Sequence, residues 1–368
     1  MSLPVSSTSS SLPIQDELIV SCFAKVPRSD YPSLSLVSKP FSRLIASPEI
    51  NLVRSLSQST ENVLYVALGI YQTLNKNPWN AKTIGLNVWY TLNQKPQREG
   101  SNPRNHKLVP FPSFPSLPCR GASVIAVGNE IYVFGGFING EVTSNVFVID
   151  SRFCTSRFLP SMRVARSYAA VGVVDGKIYV IGGCEKVVSL DIEVLDVKAQ
   201  TWECSLGFCS EEMWEITMKS VVMNEKIYIM DAFHSFVYDP KTGEWDKDYL
   251  LDEEWGCCSC VIDNMLFTLD YQNNIKVYDP KAKSWTFMMG VEDLPNMISY
   301  DGSRMANHGG KLAILYFKRY VNLTEIWYTE IALKKREGKK IWGKVLWYNL
   351  VISLNYLPTI TECLDVMI

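Results

Sequence analysis

The residues of this chain whose types could do chemistry are three histidines, ten cysteines and a few glycine pairs. His106, His234 and His308 stand far apart, and none has metal-ligand spacing to a second histidine or to a cysteine pair. Cys257, Cys258 and Cys260 are clustered, as thiolate ligands of a soft metal would be. They lack a partner pair, and alternate residues of an extended segment point to opposite faces. No Gly-x-Ser-x-Gly elbow and no phosphate-cradling loop occurs in the sequence. The expectation is no catalytic residue, no metal ligand and no cofactor.

Composition narrows the class further. Thirty-six basic and 38 acidic residues give a net charge of −2 over 368 residues, so no electrostatic case exists for nucleic acid or an anionic membrane. No apolar run reaches the roughly 18 residues that span a bilayer. The cysteines show no regular pairing frame, which reads as reduced thiols in the cytoplasm or nucleus. Residues 1–11 are Ser-rich and read as a disordered tail.

The glycine pairs point to the elements that carry them. Gly128-Asn-Glu-Ile-Tyr-Val-Phe-Gly-Gly136 returns as Asp175-Gly-Lys-Ile-Tyr-Val-Ile-Gly-Gly183, 47 residues later. A period of this size marks a repeat architecture. Turn-plus-apolar-run copies follow at Ile227, Leu266 and Leu312, and an earlier run leads with Val66. Asp-Gly between apolar runs is a hairpin signal, because both turn residues need positive φ. A second hairpin recurs downstream, as Val237-Tyr-Asp-Pro-Lys-Thr-Gly-Glu-Trp245 and Val277-Tyr-Asp-Pro-Lys-Ala-Lys-Ser-Trp285. Two hairpins per repeat make four strands, the content of a propeller blade. Six blades are therefore expected over residues 60–368. Residues 94–118, with six prolines, read as an irregular insertion between the first two blades. The segment 362–368 has no repeat to join and is expected to complete the first blade, closing the ring. The basic run from Lys334 to Lys344 reads as a solvated hairpin of the last blade.

Before the repeats lies a helical unit. Pro13 suits a helix start with Asp16 and Glu17 in the first turn, and Leu18, Ile19, Cys22 and Phe23 follow at helical spacing. Leu34, Val37, Phe41, Leu44 and Ile45 keep the rhythm through two further short helices, with Pro40 near the start of the second. The unit carries more apolar side chains than three short helices can cover, which suits a docking unit for another protein.

Leu12-Pro13-Ile14, Val26-Pro27, Leu34-Ser-Leu-Val-Ser-Lys39, Phe41 and Leu44 resemble an F-box, over residues 12–52. The glycine doublets, the period and the Tyr-to-Trp spacing of seven resemble kelch repeats. The combination is similar to plant-type F-box/kelch-repeat proteins. The fold implied is mainly β, a six-bladed kelch-type propeller preceded by a small all-α F-box. The function implied is non-catalytic: substrate receptor of a Skp–cullin–F-box ubiquitin ligase, with a Skp-type adaptor and through it a cullin as partners, and an unknown protein as target. Adaptor docking is then expected from Leu12, Pro13, Ile14, Leu18, Val26, Pro27, Leu34, Val37 and Leu44. Arg163, Arg166, Trp214 and Trp255 fall in inter-strand segments and are expected to anchor the target. The alternative is a non-degradative scaffold with a vestigial F-box. Kelch propellers also include the copper enzyme galactose oxidase, whose ligand set three scattered histidines do not supply.

Overall fold

A computed structural model describes residues 15–73, 83–94, 106–111, 120–153, 155–184, 189–209, 219–231, 234–295, 302–335 and 340–368. Contacts divide the chain into an N-terminal unit ending at Glu61 and a β unit that holds nearly all the rest.

The β unit contains six four-stranded antiparallel sheets. The innermost strands are Thr359–Met367, Ser123–Val127, Ala170–Val174, Lys219–Met223, Ser259–Ile262 and Arg304–His308. Each touches the next, and the last touches the first, so the sheets form a closed ring of blades. In the first blade Thr359–Met367 pairs antiparallel with Asn62–Thr73, from Asn62 opposite Met367 to Gly69 opposite Thr359. The core lies between neighbouring blades. Val180 and Ile178 of the third blade pack with Tyr132 and Phe134 of the second. Ile227 and Phe236 of the fourth pack with Ile181 and Ile192 of the third.

The turn chemistry follows the sequence. Asp175 and Gly176 have φ of 50° and 74°, Asp263 and Asn264 have 51° and 59°, and Gly309 and Gly310 have 57° and 78°. These mirror-image turns match the twist of the strands they join. In the outer hairpins Tyr238 stands directly opposite Trp245, and Tyr278 opposite Trp285. Their ring centroids are 4.9 and 5.1 Å apart, so the spacing of seven is a cross-strand aromatic pair. Asp239 and Asp279 each accept the backbone N–H two residues on, at 3.0 and 2.9 Å, which starts the tight turn.

The glycine doublet is a point of close approach. A Cβ on Gly135 would lie 2.1 Å from the Arg166 carbonyl oxygen, and one on Gly183 would lie 2.6 Å from that of Ser167. The Gly136 N–H donates to the Arg166 carbonyl at 2.8 Å, tying the second blade to the segment entering the third.

One expectation is corrected. Within 94–118, His106–Pro110 is not irregular; it is the outer strand of the first blade. His106 and Leu108 are buried while Lys107 is exposed, the alternation of a half-buried strand. The His106 ring stacks on Trp347 at 3.9 Å. Pro110 closes the strand at the sheet edge, where a missing N–H breaks no ladder.

The N-terminal unit comprises α1 (Asp16–Phe23), α2 (Tyr31–Ser35), α3 (Lys39–Ile45) and α4 (Pro48–Leu56). Pro40 lies in the first turn of α3, and the Ser38 hydroxyl caps that helix by accepting the Phe41 N–H at 3.2 Å. Ile19, Val20, Phe23, Tyr31 and Ile50 form the unit's core.

Gly135→Ala combines left-handed strain with a backbone clash, so it is expected to destabilise by more than 2–3 times the cost of Gly176→Ala. The latter meets open space at φ 74° and is expected to cost about 1–2 kcal/mol. Urea unfolding of the two variants compares them.

Candidate functional site

The helical unit presents two kinds of apolar residue. Val26, Leu34 and Leu44 pack against the helical core, together with Phe41, Ile45 and Val53. Leu18, Val37 and Pro27 are exposed, Leu18 by 57% and Val37 by 65%. Leu12, Pro13 and Ile14 lie outside the described residues. Three residues that the sequence reading did not single out join the exposed set: Leu36 at 87%, Leu52 at 50% and Leu56 at 85%. Leu52 and Leu56 are four apart on α4, hence on one face of that helix. The signal for α4 was present in Ser47-Pro48-Glu49, a cap residue, a proline and an acid at a helix start.

A buried arginine holds these helices in place. Arg54 on α4 is 1% exposed. Its Nη1 donates to the carbonyls of Ala24 and Val26, at 3.2 and 2.8 Å, and to the Tyr31 hydroxyl at 3.1 Å. Its Nη2 donates to Glu61 at 2.7 Å. One guanidinium therefore ties the end of α1, the start of α2 and α4 together, and its five-donor fork suits the task.

In the propeller the four expected target anchors separate. Arg163 is exposed, on the loop entering the third blade. Trp214 lies outside the described residues. Arg166 and Trp255 are corrected to interior residues, 1% and 2% exposed. Arg166 Nη2 donates to the carboxylate of Glu193, itself 0% exposed, at 3.0 Å, and Nη1 donates to the Gly182 carbonyl at 2.5 Å. Glu193 also accepts the Arg163 backbone N–H at 2.6 Å. A buried charge pair with its lone pairs occupied is a structural joint, and the partner lies 27 residues downstream, beyond any local pattern. Trp255 packs with Leu251, Leu266 and Tyr278, and its indole N–H donates to the Ser259 hydroxyl at 3.0 Å.

A cluster that sequence did not reveal joins the second and third blades. Arg120 Nε donates to the Tyr168 hydroxyl at 2.7 Å, and its guanidinium lies 5.6 Å from the Phe137 ring centre. Arg120 is exposed, and Tyr168 has a φ of 56°, a rare conformation for a bulky residue. Two of the three clustered cysteines, Cys258 and Cys260, are buried. Burial pushes the Cys258 thiol up to about 12 and Cys260 well above its ordinary value, so both stay protonated at neutral pH. Among the described residues no group of three His, Cys, Asp or Glu side chains could hold a metal ion.

The F-box domain model matches residues 12–52, and the FKB95, Kelch-repeats domain model matches residues 89–352. The chain is 57% identical over 373 residues to the putative F-box/kelch-repeat protein At3g27910 of Arabidopsis thaliana, covering 97% of this chain and 92% of that one. It is 49% identical over 355 residues to the F-box/kelch-repeat protein At4g39240 of the same plant, covering 96% and 90%. The chain belongs to the F-box/kelch-repeat family. Its F-box is the four-helix unit joined through Arg54, and its kelch repeats are the six blades.

Glu193→Ala leaves the Arg166 charge buried without its partner and is expected to cost about 3–5 kcal/mol in urea unfolding. Arg163→Ala, whose side chain is exposed, is expected to cost about 0.5 kcal/mol or less.

Proposed function

We propose that this F-box/kelch-repeat protein is the substrate-recognition subunit of a Skp–cullin–F-box ubiquitin ligase, acting in the cytoplasm or nucleus. The F-box docks on a Skp-type adaptor and through it on a cullin, and the propeller holds a target protein for ubiquitin transfer. The observation that carries this reading is the exposed apolar set Leu18, Leu36, Val37, Leu52 and Leu56, on a helical unit whose own core is already filled. Exposed large apolar side chains concentrated on so small a unit mark a surface that another protein covers.

In this reading the chain does no covalent chemistry. It raises the local concentration of a target lysine near the charged conjugating enzyme, which is catalysis by proximity. The surface offered to a target is the loops of the blades, Arg120, Phe137, Arg163 and Tyr168 among them. The blades themselves supply rigidity, since each apolar face is shared with a neighbour.

Leu18→Asp combined with Val37→Asp is expected to weaken capture of the Skp-type adaptor at least ~10-fold, because exposed interface anchors are worth about 1–2 kcal/mol or more each. Far-UV circular dichroism and the melting temperature of the variant should match those of the parent chain, since neither residue belongs to the core. Failure of the intact protein to capture the adaptor contradicts the proposal.

A further inference from the structure

Three charged residues stand on the innermost strands of three different blades and form no ion pair with one another. Lys219 opens the innermost strand of the fourth blade, Arg304 opens that of the sixth, and Glu362 lies on that of the first. The fourth and sixth blades are not neighbours; the fifth stands between them. Their innermost strands face each other across the central channel. Arg304 nonetheless weighs on Lys219 of the fourth blade, on Cys258 of the fifth and on Glu362 and Cys363 of the first.

All three side chains are half-buried, and none has an ion-pair partner among the described residues. Arg304 has one hydrogen bond, from Nη1 to the Ser303 carbonyl at 3.0 Å. Asp365, the other nearby acid, is already engaged: His308 Nδ1 lies 2.9 Å away, and Asn62 Nδ2 and the Gly309 N–H donate at 2.6 and 3.1 Å. Burial pushes the Glu362 carboxyl up to about 7, Arg304 pulling the other way, so it is only a partial counter-charge. Desolvation, with Arg304 acting in the same sense, lowers Lys219. Two half-buried cations with only a partly charged carboxyl to balance them form an arrangement that an oxyanion relieves.

We propose that the central channel is a binding site for a small oxyanion, the carboxylate, phosphate or sulfate group of a small molecule, held between Lys219 and Arg304. The guanidinium offers a planar fork for two oxygens, and the ammonium adds a point charge from the opposite wall. Glu362 sets the pH range. Below about 7 its neutral carboxyl can donate to the anion; above, its charge opposes binding. Among the described residues Cys257, Cys258, Cys260, Cys363 and Asp365 are the other titratable neighbours, and burial keeps the Cys258, Cys260 and Cys363 thiols protonated. This site is independent of adaptor docking and stands or falls without the ligase reading.

The test is calorimetric titration of the full chain with sodium sulfate, and separately sodium acetate, against sodium chloride at matched ionic strength. Sulfate keeps its charge between about pH 6 and pH 8, so a change in its affinity reports the protein. Saturable binding at the lower pH that weakens several-fold at the higher supports the site. The stronger of the two probes identifies a tetrahedral or a carboxylate ligand. Glu362→Gln is expected to remove the pH dependence, and Lys219→Gln with Arg304→Gln to abolish binding, while Lys344→Gln on the exposed outer strand changes nothing. Absence of saturable binding by either probe overturns the proposal. So does the same pH dependence in Glu362→Gln, a measurement that stands even where the double variant does not fold.

Discussion

The propeller depends on one ladder, the pairing of Thr359–Met367 with Asn62–Thr73. It joins residues nearly three hundred positions apart, so the entropy of closing the chain is met only when the blades between them are formed. Beside it, Leu64, Val66, Leu68 and Ile360 of the first blade pack with Ala306, Leu315 and Tyr328 of the sixth. Without that ladder Asn62–Thr73 presents an unpaired inner edge, and the sixth blade loses the face it packs against. In the closed ring the innermost strands leave only short, protected edges, and each blade is held on both sides by the same kind of apolar contact.

This closure explains where variation is tolerated. The glycine doublets, the Tyr–Trp pairs and the Arg166–Glu193 pair are joints, each with its geometry set by a neighbour. The backbone carrying Arg120, Phe137 and Arg163 is pinned as well, the Phe137 N–H donating to the Arg120 carbonyl at 2.9 Å and the Arg163 N–H to Glu193 at 2.6 Å, so it is the exposed side chains there that can change without moving the frame. The channel is the reverse case. Its lining comes from the innermost strands, so Lys219, Arg304 and Glu362 are placed by the most constrained elements of the molecule. Within the F-box a different device serves the same end: Arg54 gathers carbonyls, a hydroxyl and a carboxylate that no small apolar core could orient by itself.

What sequence made legible was local. Asp175-Gly176 and Asp263-Asn264 announced hairpins because positive φ is a property of the residues themselves. The Tyr–Trp spacing of seven announced a cross-strand pair because a short turn sets its own register. Misreadings arose where a distant partner decides. Proline density hid the strand at His106–Pro110, whose burial depends on Trp347 and the last blade. Arg166 and Trp255 had the types of binding anchors, but Glu193 and Leu266 draw them inside. Arg54 lay on a helix that the apolar rhythm did not mark, although its cap residues did. The channel charges come from three blades, and only the closed ring brings them together.

The most direct test of ring closure is hydrogen exchange, read by mass spectrometry, on a chain ending at Pro358 beside the full chain. Closure by the last strand predicts that protection falls together in all six blades of the shortened chain, including Ile178–Ile181 and Ile227–Met230, far from the deletion. Loss of protection confined to Asn62–Thr73 and its immediate neighbours, with the other blades exchanging as in the full chain, would contradict the account.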